Sequence, residues 1–327
     1  MTDDFGYLNA RVRVRRSSLL PENFFQEALN LNFADLVSAL GETPYAEHLS
    51  GSDLEAVDRA VSQRLQQTIG SLPGLVGGAT REAVVLLLSR SDLNNIKIIL
   101  RSKETNATAE QIKAHLSGGT LPDTIIQAMI EAPDEAAVAQ ALAVLGHPLS
   151  GALRQAIAAG GDLAEIEVAL DREYFENLRR LAKSLDDGFL QDYLAAEIDA
   201  VNLSTAFKLA QQGEVSDADA YFVKGGRYVT ESLFGRIAAG ETGAIEELAG
   251  TPLEPVSSAR DLGELERALR CWLLEYSNRG AYSSDGAGLT AAYIRAAEWE
   301  AARIRLLARR AYYNLPVEAV EREVFCQ

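Results

Sequence analysis

Residues 53–61 read "DLEAVDRAV", and the pattern returns as "DLAEIEVAL" at 162 and "DLGELERAL" at 261. Each copy runs Asp, Leu, two free positions, an aliphatic, an acid, a free position, Ala and a further aliphatic. A chain that restarts the same helix at a steady interval builds one supersecondary unit several times, which limits the fold more tightly than composition does.

A second string follows each start by 39, 37 and 39 residues: "DLNNIKIILR" (92–101), "DAVNLSTAFK" (199–208) and "EAARIRLLAR" (300–309). The three align without gaps, matching Asp92, Asp199 and Glu300; Asn95, Asn202 and Arg303; and Arg101, Lys208 and Arg309. A third mark, "GGTLPDTIIQAMIEA" from Gly118 and "GGRYVTESLFGRIAA" from Gly225, keeps the 107-residue offset that separates Asn95 from Asn202. A fourth closes each unit, Pro148 in "GHPL" and Pro252 in "GTPL". The third copy ends in "LPVEAVEREVFCQ" before a glycine pair, and its missing portion resembles residues 19–45, with Pro21 matching Pro122 and Gln26 matching Gln127. Pro44 stands 104 residues before Pro148, which stands 104 before Pro252. The expectation is three copies of one helical unit: 51–152, 153–259, and a composite of 260–327 with 1–50. A period near a hundred residues is a repeated domain, much longer than a solenoid repeat. Joining both termini in one copy predicts a ring with a central hole or dimple, a shape suited to gripping something.

Apolar residues recur at i, i+3 and i+4 through "ATREAVVLLLSRSDLNNIKIILRSK", "DREYFENLRRLAKSL" and "AAYIRAAEWEAARIRLLARRAYY", and strictly alternating runs are few. This predicts an all-α protein. The longest aliphatic run, "AVVLLL" at 83–88, falls far short of the roughly 20 residues that cross a bilayer, so no membrane insertion is expected. The opening "MTDDFGYL" has acids where a secretory leader carries bases. Cys271 and Cys326 lack the spacing of a zinc site or a disulfide framework, which fits a reducing cytoplasm. With 47 acids against 31 bases the formal charge is −16, which repels phosphate backbones and argues against nucleic acid as a partner.

Little here reads as chemistry. Asp53, Asp162 and Asp261 precede helical patterns, where a carboxylate accepts first-turn N–H groups, so they read as structural caps. The pairs Asp92/Asn95 and Asp199/Asn202 lie three apart on one helix side and either bind a cation or form a buried hydrogen bond that fixes helix register. The exchange of Asn for Arg303 in the third copy favours the register reading. The glycine pairs "SGGT" and "KGGR" lack the Gly-Lys-Ser/Thr of a phosphate loop and read as helix ends at positive φ. Asp186, Asp187 and Asp192 in "SLDDGFLQDYL" distantly suggest a magnesium-dependent all-helical prenyl-transfer enzyme, but with wrong spacing and no second acidic cluster. His48, His115 and His147 stand apart, with surface or turn positions as the default. The run "NARVRVRR" carries Arg11, Arg13, Arg15 and Arg16, which either meet an acidic partner or form a solvated, internally paired helix face. No cofactor, metal or catalytic residue is expected.

Together, "FGYLNARVRVRRSSLLPENFFQEALNLNFADLVSALGETPY", "DLNNIKIILRSK", "DAVNLSTAFKLA" and "EWEAARIRLLARRAYYNLP" resemble the C-subunit family of V-type (A-type) ATP synthases, related to the d subunit of the eukaryotic vacuolar proton pump. The resemblance covers essentially the whole chain. It implies a funnel of three similar helical domains about a pseudo-threefold axis, without a catalytic site. It also implies a cytoplasmic, membrane-peripheral socket whose partners are the central shaft subunits and the membrane proteolipid ring, and which passes torque between them. Arg303 and the missing third glycine pair depart from exact symmetry. A helical adaptor for another ring-shaped partner would show the same repeats.

Overall fold

The computed structural model describes residues 4–105, 107–116, 119–213, 217–283 and 285–326. Among the described residues every regular element is helical and no strand occurs. In chain order the α-helices are α1 (Phe5–Arg16), α2 (Glu22–Ala28), α3 (Phe33–Leu40), α4 (Leu54–Leu65), α5 (Gly78–Lys103), α6 (Ala109–His115), α7 (Asp123–Glu131) and α8 (Glu135–Leu145). They continue as α9 (Ser150–Ala158), α10 (Leu163–Ser184), α11 (Gly188–Gln212), α12 (Glu231–Ala238), α13 (Leu262–Arg279), α14 (Gly288–Tyr312) and α15 (Glu318–Phe325). Short 3₁₀ turns link several of them, and a π-helical turn over Gln66–Gly70 extends α4.

The starts follow from local chemistry. Asp53 Oδ1 accepts the Ala56 N–H at 2.7 Å. Asp162 accepts from Glu165 N–H at 2.8 Å while Glu165 accepts from Asp162 N–H at 2.9 Å, a reciprocal capping box. Ahead of α13, Asp261 accepts the Glu264 N–H at 2.9 Å. Each such cap is worth about 1 kcal/mol.

The chain packs as two compact units: Met1–Asn95 with Thr108–Thr120 and Gly280–Gln327, and Ile96–Ala107 with Leu121–Arg279. In the first, α1, α3, α4 and α15 all pack on α14. Leu8, Val12, Phe25, Leu36 and Leu40 from the N-terminal helices, and Ile304, Leu307 and Ala308 from α14, are at most 1% exposed. At about 1.5–3 kcal/mol per buried large apolar side chain, the five N-terminal residues contribute on the order of 10 kcal/mol. In the second unit α11 is the centre, with α10, α12 and α13 against it. Its core joins Leu203 and Phe207 to Phe234, Ile237, Leu265, Leu269 and Trp272. A helix so enclosed carries apolar residues all round, unlike the one-sided α10.

Two expectations are corrected. Neither Cys271 nor Cys326 is a free thiol; both are oxidised, which the spacing did not indicate. Of the histidines, expected at surface or turn positions, His115 is exposed, His48 is half-buried, and His147 stands in the turn between α8 and α9, where it is buried with its Nδ1 accepting the Leu149 N–H at 3.2 Å. The "KGGR" pair does not end a helix: Gly225 and Gly226 follow the 3₁₀ turn Ala218–Tyr221 and precede α12. Gly118 of the other pair lies outside the described residues.

Candidate functional site

The repeated polar residues converge on one device, a carboxylate on a long helix that holds an incoming loop. In the second unit Asp199 is fully buried on α11. Its oxygens accept N–H groups from Arg227 at 3.0 Å, Tyr228 at 3.1 Å and Val229 at 3.0 Å. One turn further on, Asn202 Nδ2 donates to Val223 O at 2.8 Å and its Oδ1 accepts the Val223 N–H at 2.9 Å. The loop is bound as a neighbouring strand would bind it, by backbone groups. Asp199 and Asn202, three apart on α11, thus place two buried hydrogen-bonding side chains on one loop. In the first unit Asp92, also fully buried, accepts the Thr120 N–H at 2.8 Å and the Thr120 hydroxyl. Asn95 is fully buried as well.

This geometry explains the glycines. A Cβ on Gly226 would lie 2.1 Å from Asp199 Oδ1, and one on Gly119 would lie 2.0 Å from Asp92 Oδ1. Only glycine lets the backbone come close enough to donate.

The third copy keeps the device with other atoms. Glu300 accepts the Leu20 N–H at 2.5 Å and the Tyr45 hydroxyl at 2.8 Å. Its extra methylene lets the carboxylate reach the Leu20 N–H without a glycine before it. Arg303, in the Asn position, makes two bonds to Glu22, at 2.9 and 2.6 Å, and stacks over Phe25 at 3.6 Å. Burial pushes the Asp199 carboxyl above its ordinary range, against the pull of its three N–H donors. Burial likewise raises Glu300, opposed by the Leu20 N–H, the Tyr45 hydroxyl, Arg64 and Arg303. The Tyr45 phenol is pushed up by burial and by Glu300 beside it.

A second set of contacts joins the two repeated strings. Arg101 on α5 makes two 2.6 Å bonds to Glu167 on α10. Lys208 on α11 lies 3.1 Å from Glu266 on α13, and Arg309 on α14 bonds Asp58 on α4 at 3.1 Å. One turn back, Lys97 bonds Asp171 at 2.6 Å and Arg305 bonds Ser62 at 2.8 Å, so two of the pairings repeat a second contact in the same register. The Arg101 guanidinium is held protonated chiefly by its hydrogen bond to Glu167. Burial raises Asp58 despite Arg309 and Arg305. The signal for these pairs was present in the aligned strings: the sixth residue of the first string is always acidic, and the tenth of the second always basic.

The remaining candidates separate. Asp187 caps α11 through the Leu190 N–H at 2.9 Å, and Asp192 pairs with Arg227 at 2.5 Å, so these acids do not converge. Among the described residues no group of three or more His, Cys, Asp or Glu is placed to hold a metal ion. Arg15 is committed to Thr68 O at 3.0 Å and Ser71 Oγ at 2.8 Å, whereas Arg11, Arg13 and Arg16 are exposed. No described helix is long and apolar enough to cross a membrane. An Asp199 carboxylate filled by backbone donors has little capacity left for a substrate. The site is one of mechanical fastening.

The family model for the ATP synthase (C/AC39) subunit matches residues 8–323. The V-type ATP synthase C subunit of Thermus thermophilus is 50% identical over 326 residues, covering 100% of both chains. The Deinococcus radiodurans V-type C subunit is 32% identical over 335 residues, covering 99% of this chain and 92% of that one. The A-type C subunit of Haloquadratum walsbyi is 26% identical over 338 residues, covering 97% of each. Likeness along the full length shows the family: the chain belongs to the ATP synthase (C/AC39) subunit family, as a structural component and not a catalytic enzyme.

Proposed function

We propose that this chain is the coupling subunit of a V-type ATP synthase, cytoplasmic and peripheral to the membrane, seated between the rotating shaft and the proteolipid ring. Its body is three homologous helical units, 51–152, 153–259 and 260–327 with 1–50, about a pseudo-threefold axis. The observation that carries this reading is the order of the ion pairs. Arg101 of the first copy meets Glu167 of the second, Lys208 of the second meets Glu266 of the third, and Arg309 of the third meets Asp58 of the first. Contacts of one register between each copy and the next support the reading of three homologous units. Densely packed helices resist torsion that a loose linker would absorb, and torque transfer asks for that stiffness.

The test separates coupling from catalysis. Membrane and soluble parts of the synthase are assembled with and without the chain, and ATP hydrolysis and ATP-driven ion transport are measured in the same vesicles. The expected result is hydrolysis retained in the soluble part and transport lost when the chain is omitted. Undiminished transport without it would overturn the reading, and loss of hydrolysis in the isolated soluble part would reassign the chain to the catalytic machinery.

A further inference from the structure

Helix α1 has two unlike faces. Leu8, Asn9 and Val12 are buried, and Asn9 ties the helix down by donating to Gly286 O at 3.0 Å and accepting from the Thr290 hydroxyl at 3.1 Å. On the opposite side Tyr7, Arg11 and Val14 follow at helical spacing, with Tyr7 44% and Val14 73% exposed. Arg13 Nη2 lies 3.5 Å from Ser283 O, which brings the turn bearing Tyr282, 92% exposed, to this helix.

The charge of this face is out of keeping with the molecule. The chain has 16 more acids than bases, yet Phe5–Arg16 holds four arginines and no acid. Arg11 and Arg16 have no hydrogen-bond or ion-pair partner among the described residues, although carboxylates are in surplus. The helix dipole accounts for cations in the last turn, where Arg13, Arg15 and Arg16 stand. It accounts neither for Arg11 nor for a valine and two tyrosines left in water beside it. Tyr and Arg are the residues that protein interfaces concentrate, because each joins a large apolar body to a polar end.

We propose that Tyr7, Arg11, Arg13, Val14, Arg16 and Tyr282 form a docking face for an acidic protein surface within the same ATP synthase. This rests on the coupling reading above and adds the place and chemistry of one contact. An anionic bilayer is the weaker match. Stable membrane attachment takes a broad apolar face or a second anchoring signal, and this face offers one valine and two tyrosines. A second copy of the chain would bring a net charge of −16 against an equal −16.

The test is rebinding of the full-length chain to synthase complex depleted of it. The double variant Arg11→Glu/Arg16→Glu is expected to rebind at least about tenfold more weakly at 0.1 M salt, with helicity retained and only a small fall in melting temperature, since both side chains are exposed and only Arg16 stands in the last turn. Wild-type affinity is expected to fall with salt more steeply than that of the variant, and Arg11→Lys/Arg16→Lys to restore most binding. Equal rebinding by the charge-reversed variant overturns this inference and leaves the coupling reading standing. So does wild-type binding to phosphatidylcholine/phosphatidylglycerol vesicles that the variant loses, or a wild-type dimer that the variant abolishes. Failure of the wild type to rebind at all overturns both.

Discussion

Asp199 and Glu300 hold backbone by the same principle, but Asp199 closes on a loop 28 residues away and Glu300 on a segment 280 residues away. Closing a tenfold longer loop costs about 2 kcal/mol more chain entropy. The remote latch is held mostly by side chains: besides the Leu20 N–H it has the Tyr45 hydroxyl, two Arg303–Glu22 bonds and the stack of Arg303 on Phe25. The local latch gets its strength from proximity, through glycine and backbone donors. The lesson is that a repeat can conserve a mechanical task while exchanging every atom that performs it, provided the entropy of closure is met.

The most severe way to break the comparison is to remove the remote partner. Deleting residues 1–45 strips Leu8, Val12, Phe25, Leu36 and Leu40 from the first unit, and a loss on the order of 10 kcal/mol equals the net stability of a whole domain. The truncated chain is expected to aggregate, as size-exclusion chromatography and light scattering would report. A soluble, fully helical truncation would show that the N-terminal helices are not part of that core.

The next test addresses close approach. Gly226→Val forces the loop off Asp199, breaks three N–H bonds to a buried carboxylate, and should cost roughly 3–5 kcal/mol in urea denaturation. Ser18→Ala, at the matching place before Pro21, meets no such approach and should cost under about 1 kcal/mol, from the lost Ser18 and Arg64 hydrogen bonds. Equal costs would mean that glycine is not what distinguishes the two latches.

A smaller contrast comes from the second residue of each latch. Asn202→Leu leaves both backbone groups of Val223, itself 2% exposed, without partners, for about 2–3 kcal/mol. Arg303→Met strands only Glu22, whose side chain is 58% exposed and regains water, so about 1 kcal/mol is expected. The reverse order would make the remote latch the stronger one.

The smallest effect is a pH dependence. Burial raises the folded pKa of Glu300, so its contribution to stability is fully present below the unfolded value, about 4.3, and is lost as pH rises through the folded value. Glu300→Gln removes that loss. Relative to wild type, the variant should therefore gain urea resistance between pH 4 and pH 8, and parallel profiles would show that this carboxyl is not destabilised by burial.

Much of this was legible in the chain. Asp53, Asp162 and Asp261 announce helix starts through local chemistry that needs no distant partner, and the apolar period specifies an all-α protein. Asp199 and Asn202 were visible as marks, but their use was not: a side chain three residues along a helix says nothing about which loop arrives. The burial of His147 and the oxidised state of the cysteines were not legible for the same reason, since both are decided by tertiary packing.

What the sequence determined by itself is the set of repeated pieces, because capping, periodicity and spacing act over a few residues and leave the same imprint wherever they occur. Only the tertiary structure decided which carboxylate holds which backbone, that Gly119 and Gly226 exist for close approach, and that Glu300 and Arg303 replace Asp and Asn by closing on the other end of the chain. Those outcomes depend on distances of 2 to 4 Å between residues up to 281 positions apart. Such distances are set by packing, and no local pattern records them.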